Sequence, residues 1–278
     1  MRRAPATLPT KNTMHRTVIS DLDGTLLNSE HKISDFTRAT LLRLVEKGVR
    51  FIVATGRHMT DVQGIRASLG FECDLITSNG ALVSDASGKE RFDHTLSPEV
   101  AQWLIATTHE DKRFDTNVYT RESWYVNRIK PELRAFHAES GFSCTVTDLR
   151  RMAPNRINKI FFVGAHEVLA DLEVRLKSQC EADTSITFSL PTCLEVMAAN
   201  VNKGNAAREI LESYGTSLDQ AIAFGDGMND YELLSMASQG FVMANASQRL
   251  KQALPGHAQA GHCDEDGVAH KLASLFGL

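Results

Sequence analysis

The sequence contains no run of about 18 apolar residues, which argues against a membrane-spanning helix. It carries no basic stripe, and a formal net charge of −4 offers no electrostatic footprint for nucleic acid. No CxxC spacing occurs: Cys73, Cys144, Cys180, Cys193 and Cys263 are scattered. That usage reads as free thiols in a reducing compartment, so a cytoplasmic protein is expected. His31, His58, His94 and His262 share no ligand spacing, so no zinc site is expected. Internal repeats and low-complexity tracts are absent. Met1 to Lys11 holds Arg2 and Arg3 but no apolar segment, unlike a secretory signal. Residues 1–13 are expected to form a disordered extension, with Met14 as an alternative start. What remains is ordinary for a globular chain: 278 residues, 42% apolar and 23% charged, enough for one large or two modest domains. A monomer or homodimer is expected.

The chain is organised around Thr17-Val18-Ile19-Ser20-Asp21-Leu22-Asp23-Gly24-Thr25. Val18 and Ile19 read as a buried strand, and Gly24 lets the backbone turn tightly after it. Asp21 and Asp23 then sit at a strand's carboxyl end, where open α/β sheets bind ligands. Carboxylates that close together repel, and one pKa rises unless a cation lies between them. Mg2+, a hard cation that takes oxygen ligands, fits that need. Taken alone, such a segment is equally an Asp-rich turn after a strand.

Further along, Ser34 looks like the N-cap of a helix that Gly48 stops. A strand over residues 49–54 ends in Thr55-Gly56-Arg57. A helix from about Asp61 to Leu69 precedes a short strand, residues 74–77, which ends in Ser78-Asn79-Gly80. This alternation predicts a parallel sheet with right-handed crossovers. After Ser84 the texture changes to helices and strands without glycine-tipped ends. Helices are expected over residues 98–108, Pro131 to Glu139 and 166–179, and strands over 117–126, 157–163 and 185–189. The first texture resumes at Cys193-Leu194-Glu195-Val196-Met197. Asn202-Lys203-Gly204 then opens a helix, and the apolar strand of residues 221–224 ends in Gly225-Asp226-Gly227-Met228-Asn229-Asp230. The expected organisation is a Rossmann-like, doubly wound α/β core over residues 14–84 and 193–278, with an inserted α+β cap over 85–192.

In such a sheet the first strand borders the first strand of the returning half, which brings these loops to one edge. Each polar group then suits phosphoryl transfer. Asp21 can attack phosphorus, and Asp23 can protonate the departing oxygen and later activate water. Thr55 with Gly56, Asn229 and the compact charge of Lys203 can hold phosphate oxygens. Asp226 can anchor Mg2+, with Asp230 behind it. Singly, each has a plainer reading: a turn, a surface lysine, an acid at a helix start. Only their order and flanking strands favour the chemical one.

DLDGT, ATGR, the Lys-Gly helix start and GDGMND, in that order, resemble the haloacid dehalogenase-like hydrolase superfamily. The insertion between ATGR and NKG is similar to the α+β cap of its Cof-type phosphatases. ITSNGA, TNVY, CLEVMA and AFGDGMND look like members that dephosphorylate pyridoxal phosphate and sugar phosphates. The resemblance implies Asp21 as nucleophile and Mg2+ ligand, and Asp23 as acid/base whose backbone carbonyl also binds the metal. It implies Thr55 and Lys203 as phosphate contacts, Asp226 as the third protein ligand and Asp230 as a supporting carboxylate. Dehalogenases of the superfamily lack the second acid, so its presence argues for phosphatase or mutase chemistry.

Around that set, Arg57 and Asn79 stand at core strand ends, where they can touch substrate or cap. Asn117, Tyr119, Trp124, Asn127 and Arg128 form a polar-aromatic group of the insertion that can either cover a substrate ring or build the cap's own core and rim. Glu195 can meet a substrate hydroxyl or aldehyde. The expected activity is Mg2+-dependent hydrolysis of small phosphorylated metabolites. A phosphomutase and a non-catalytic phospholigand sensor are the alternatives.

Overall fold

Strand β1 (Thr17–Ser20) is buried along its whole length. In the computed structural model, which describes residues 15–128 and 140–278, it lies inside an eight-stranded sheet. The Ser34 hydroxyl accepts the Thr37 N–H at 2.9 Å and so caps α1 (Asp35–Glu46). The chain continues through β2 (Arg50–Ala54), α2 (Met59–Leu69) and β3 (Asp74–Thr77). β2 and β3 run parallel to β1. β4 (Leu82–Ser84) and β5 (Glu90–Asp93) then return antiparallel at that edge.

A second sheet follows. α3 (Pro98–Thr108) precedes β6 (Phe114–Thr120), β7 (Trp124–Val126), β8 (Cys144–Val146) and β9 (Ile157–Gly164). α4 (His166–Cys180), β10 (Thr184–Leu190) and β11 (Cys193–Ala198) complete it. The strand order is β10-β11-β9-β6-β7-β8, antiparallel except between β7 and β8. Side chains alternate between its faces. Val118, Ile160, Phe162, Leu194 and Val196 pack with residues of α3 and α4 in one apolar cluster. Tyr119, Trp124, Val126, Phe161 and Phe142 form another on the opposite face.

The chain returns through α5 (Lys203–Ser213), β12 (Ala221–Gly225), α6 (Tyr231–Met236) and β13 (Gln239–Val242). It ends with α7 (Gln248–Ala253), β14 (Ala258–Gln259) and α8 (Gly267–Phe276). The large sheet is ordered β14-β13-β12-β1-β2-β3-β4-β5, with β14 to β3 all parallel. Chain order therefore reverses at the β1–β12 boundary, which opens the crevice at their carboxyl ends. The fold is α/β with an inserted α+β unit. No helix among the described residues is long and apolar enough to cross a membrane.

The unit boundaries differ from those read in the sequence. β5 pairs with β4 in the large sheet, and β11 pairs with β9 and β10 in the small one. The insertion thus runs from after Asp93 to Ala198 rather than over 85–192. Hydrogen-bond partners, which local texture does not encode, assign each strand to its sheet. The helix expected over Pro131 to Glu139, and the extension over 1–13, lie outside the described residues.

Phe224 of β12 is fully buried and stacks on Phe241 at 5.2 Å between ring centroids. Phe224→Ala is expected to lower stability by about 3–5 kcal/mol, read by urea unfolding. A loss below about 1 kcal/mol would mean that this part of the core repacks freely.

Candidate active site

β1 and β12 run in register, Ser20 beside Phe224, so their next residues emerge together. The Asp21 N–H donates to the Phe224 carbonyl at 3.1 Å, which extends the pairing to the loop tip. Asp21 leaves one strand there and Asp226 the other. Gly24 turns the first loop with φ of 74°, and a Cβ on it would lie 2.6 Å from Asp226 Oδ2. The second carboxylate fills the space that a side chain at 24 would need. Thr25 Oγ1 donates to Asp226 Oδ1 at 3.0 Å and ties the two loops together.

Lys203, at the start of α5, is fully buried. Its Nζ donates to Asp21 Oδ1 at 2.6 Å and to Asp230 Oδ1 at 2.7 Å. The other Asp230 oxygen accepts from the backbone N–H groups of Asp226 and Gly227, at 2.9 and 3.0 Å. Asp21, Asp226 and Asp230 each offer an oxygen within 4.8 Å of the others. Burial raises the Asp21 pKa well above the usual carboxylate range; Lys203 opposes that, while Asp230 and Asp226 add to it. Burial, with Asp230 beside it, lifts Asp226 to about 7. Burial alone would depress the Lys203 ammonium, but the carboxylates of Asp21 and Asp230 raise it. An all-oxygen set this crowded fits a hard divalent cation such as Mg2+. Both Asp230 oxygens are already engaged, which leaves Asp21 and Asp226 as the carboxylates best able to hold it.

Asp23 meets a different environment. Arg57 grips it through two bonds, Nε to Oδ2 at 2.7 Å and Nη2 to Oδ1 at 2.6 Å. His31 Nδ1 lies 3.0 Å from Oδ1. Burial works to raise its pKa, yet the bonds from Arg57 and His31 hold it well below the usual range. Arg57 also reaches Asp61 at 3.4 Å. Thr55 is buried, and its Oγ1 accepts the Arg57 N–H at 3.1 Å.

The structure joins a further group of the expected residues. Asn229 Nδ2 donates to Asn79 Oδ1 at 3.0 Å, and Asn79 Nδ2 donates to Glu195 Oε2. Glu195 Oε1 accepts from Lys159 Nζ at 2.5 Å, and Lys159 also donates to the Gly56 carbonyl at 2.6 Å. Tyr119 borders this chain, with its ring centroid 4.8 Å from Lys159 Nζ. Three candidates bond elsewhere. Trp124 is buried, and its indole N–H donates to Asn117 Oδ1 at 3.0 Å, so the pair satisfies itself inside the small unit. Arg128 braces the start of β6, bonded to the Phe114 carbonyl at 2.7 Å and to Asp115 at 2.9 Å. Asp115 stands four residues, roughly 13 Å, along β6 from Tyr119. Arg128 is therefore not brought to the loop tips.

Sequence reasoning missed Lys159, Thr25 and His31. The signal for Lys159 was a lysine inside the apolar strand Ile157-Asn158-Lys159-Ile160-Phe161-Phe162, where an unpaired charge is costly. One of the histidines read as lacking a ligand spacing, His262, does stand with Cys263 and Asp264, their ligand atoms within 4.8 Å of one another. There His262 Nδ1 accepts the Asp264 N–H at 3.1 Å as a helix cap.

The Asp226 pKa sets a pH dependence. Its ordinary value is 3.8, so between about pH 4 and 7 the folded chain holds a proton that the unfolded chain has lost. Stability of protein kept in chelator is expected to fall as pH rises through that window. Mg2+ added near pH 6 is expected to release protons and recover stability. Urea unfolding at several pH values, with calorimetry in two buffers, reads both effects; a flat profile without proton release would remove the carboxylate crowding described above.

Comparison with known proteins agrees with this geometry. The family described as haloacid dehalogenase-like hydrolase matches residues 18–272. A Haemophilus influenzae protein, provisionally named a phosphatase, is 42% identical over 269 residues, covering 96% of this chain and 99% of its own. A Cronobacter sakazakii protein named HMP-PP phosphatase is 36% identical over 252 residues, covering 91% of this chain and 92% of its own. A haloacid dehalogenase-like hydrolase from B. subtilis has the same fold, with a TM-score of 0.85 at 24% identity over 94% of this chain and 100% of that one. With the motif loops converging on one crevice, the chain belongs to the haloacid dehalogenase-like hydrolases and is an enzyme of their phosphatase class.

Proposed function

We propose that the protein is a Mg2+-dependent phosphatase of small phosphorylated metabolites, working through an aspartyl phosphate on Asp21. The observation that carries this reading is the meeting of Asp21, Asp226 and Asp230 within 4.8 Å, with the Lys203 ammonium on two of them. Asp21 is the nucleophile. Burial and two neighbouring carboxylates push it toward the neutral, unreactive form, and Lys203 opposes them. The Asp21 and Asp226 carboxylates and the Asp23 backbone carbonyl would hold Mg2+, which would supply positive charge against the phosphoryl oxygens. Thr55, Gly56 and Lys203 position the phosphate, with Asn229 from the loop that carries Asp226 and Asp230. Asp23 then gives a proton to the departing oxygen and later takes one from the attacking water.

The insertion bears on the core directly through Lys159 and Glu195, which limits access to compact molecules. Pyridoxal 5'-phosphate is the first candidate, with hexose and smaller sugar phosphates next. The relatives named HMP-PP phosphatase support a second reading, in which the substrate carries that compound's phosphate grouping. Scattered cysteines with no CxxC spacing fit a reducing compartment such as the cytoplasm.

A phosphate-release screen over these compounds, with and without Mg2+, is the direct test. Turnover is expected only with the metal. Asp21→Asn is expected to lower kcat at least about 1,000-fold while the folded structure persists by circular dichroism. Activity retained in Asp21→Asn would exclude the aspartyl phosphate.

A further inference from the structure

We propose that His31 is a positioning residue for Asp23: it holds one oxygen of the acid while the other carries the proton to the departing group. The inference rests on the phosphatase reading above and adds to that site a residue which the reading does not use.

Asp23 takes two forms within one turnover. As an acid it gives its proton to the oxygen that leaves phosphorus, and that oxygen keeps the electron pair of the broken P–O bond. The carboxylate left behind then takes a proton from the water that opens the aspartyl phosphate, which restores the acid. Arg57 suits only the carboxylate. Its Nε holds Oδ2 at 2.7 Å and its Nη2 holds Oδ1 at 2.6 Å, so both oxygens face one cation. A guanidinium donates and never accepts, and its charge favours the ionised form. His31 meets the same residue differently. Its Nδ1 lies 3.0 Å from Oδ1 and 3.4 Å from Arg57 Nη2. A neutral imidazole N–H at that place donates to one oxygen without a full charge, and Oδ2 is left to carry the proton. When the guanidinium turns to an entering phosphate, the ring keeps its hold on Oδ1.

The backbone is built to deliver this ring. His31 takes φ of 59°, a left-handed conformation uncommon outside glycine, and such strain persists where surroundings enforce it. Here the surroundings are a closed turn. Asn28 Oδ1 accepts the N–H groups of Glu30 and Lys32 at 3.1 and 3.0 Å, and the Asn28 carbonyl accepts the His31 N–H at 2.9 Å. The C-terminal segment straps the turn from outside. The Ser29 N–H donates to Asp264 Oδ1 at 2.6 Å, and the Ser34 and Thr37 hydroxyls donate to Asp266 Oδ1 at 2.6 and 2.8 Å. At its other end the turn joins the catalytic loop itself, where the Leu27 N–H donates to the Leu22 carbonyl at 2.8 Å. Glycine or asparagine would serve such a turn with less strain, and the half-exposed ring is not held there by burial. Its contact with Asp23 gives the imidazole a use.

The test compares kcat/KM in Mg2+ for p-nitrophenyl phosphate and phenyl phosphate, two aryl phosphates of similar shape. Nitrophenolate departs with little need of a proton, whereas phenolate gains more from an acid. His31→Gly fits the left-handed backbone and removes the ring. It is expected to raise the ratio of p-nitrophenyl phosphate to phenyl phosphate about 10-fold. His31→Asn also fits that backbone, and its amide stands as many bonds from the backbone as Nδ1, so the ratio is expected to return to within about 3-fold of wild type. Asp264→Ala loosens the turn from outside the site and is expected to raise the ratio about 3-fold, which keeps the inference testable if His31→Gly fails to fold. Equal losses on both compounds would overturn it, leaving His31 as part of the turn alone. An unchanged ratio, or His31→Asn behaving as His31→Gly, would overturn it as well. Wild-type protein inert toward both compounds would overturn the phosphatase reading itself.

Discussion

Crowded negative charge governs this structure. Asp21, Asp226 and Asp230 bring oxygens within 4.8 Å of one another below the surface of a parallel sheet. Two unit charges at that separation repel by about 3 kcal/mol at an effective dielectric constant of about 20. The chain answers with one buried cation, Lys203, and with backbone N–H groups directed at Asp230. Gly225 obeys the same constraint, since a Cβ there would fall 2.5 Å from the Asp230 side chain. What the protein itself does not neutralise is the charge shared by Asp21 and Asp226, and that residue of repulsion is what a divalent cation can relieve.

The two units divide the work by the kind of charge that they bury. The core concentrates carboxylates and one lysine where strand ends converge, an arrangement suited to a phosphoryl group of any origin. The insertion buries a neutral pair, Lys159 with Glu195, among aromatic rings. The first gathers charge at the crevice, and the second pairs it off inside the insertion. Gly56 lies at their junction, with its carbonyl on Lys159 and its neighbour Thr55 at the crevice.

Most of the core could be read from the sequence because each of its parts is local. A strand, its acidic tip and the glycine after it lie within ten residues, and a parallel sheet leaves few places for four such tips. Side-chain pairing across distant elements could not be read in the same way. Arg57 stands beside Thr55 in sequence, but nothing local assigns its guanidinium to Asp23. Asn117 and Trp124 fitted a substrate wall or the cap's own core equally well, and their bond to each other within one hairpin could not be read. Lys159 lacked a motif altogether, and only its partner in β11 explains a lysine in an apolar strand. Cys193 to Met197 looked like a return to the core because apolar alternation is the same in either sheet. Its hydrogen bonds to β9 and β10 decide the matter.

Asp23 shows how the parts must act together. In the proposed mechanism Asp23 protonates the leaving group and so has to hold a proton, yet Arg57 and His31 hold its pKa well below the usual carboxylate range. An entering phosphate changes both conditions at once. Its negative charge raises the affinity of Asp23 for a proton, and it gives Arg57 a second acceptor of suitable geometry. Before then, the bidentate bridge keeps Asp23 oriented without arming it. On the proposed mechanism, proton donation is thereby coupled to the arrival of a substrate, and the guanidinium that suppresses the acid becomes free to hold the group on which the acid acts.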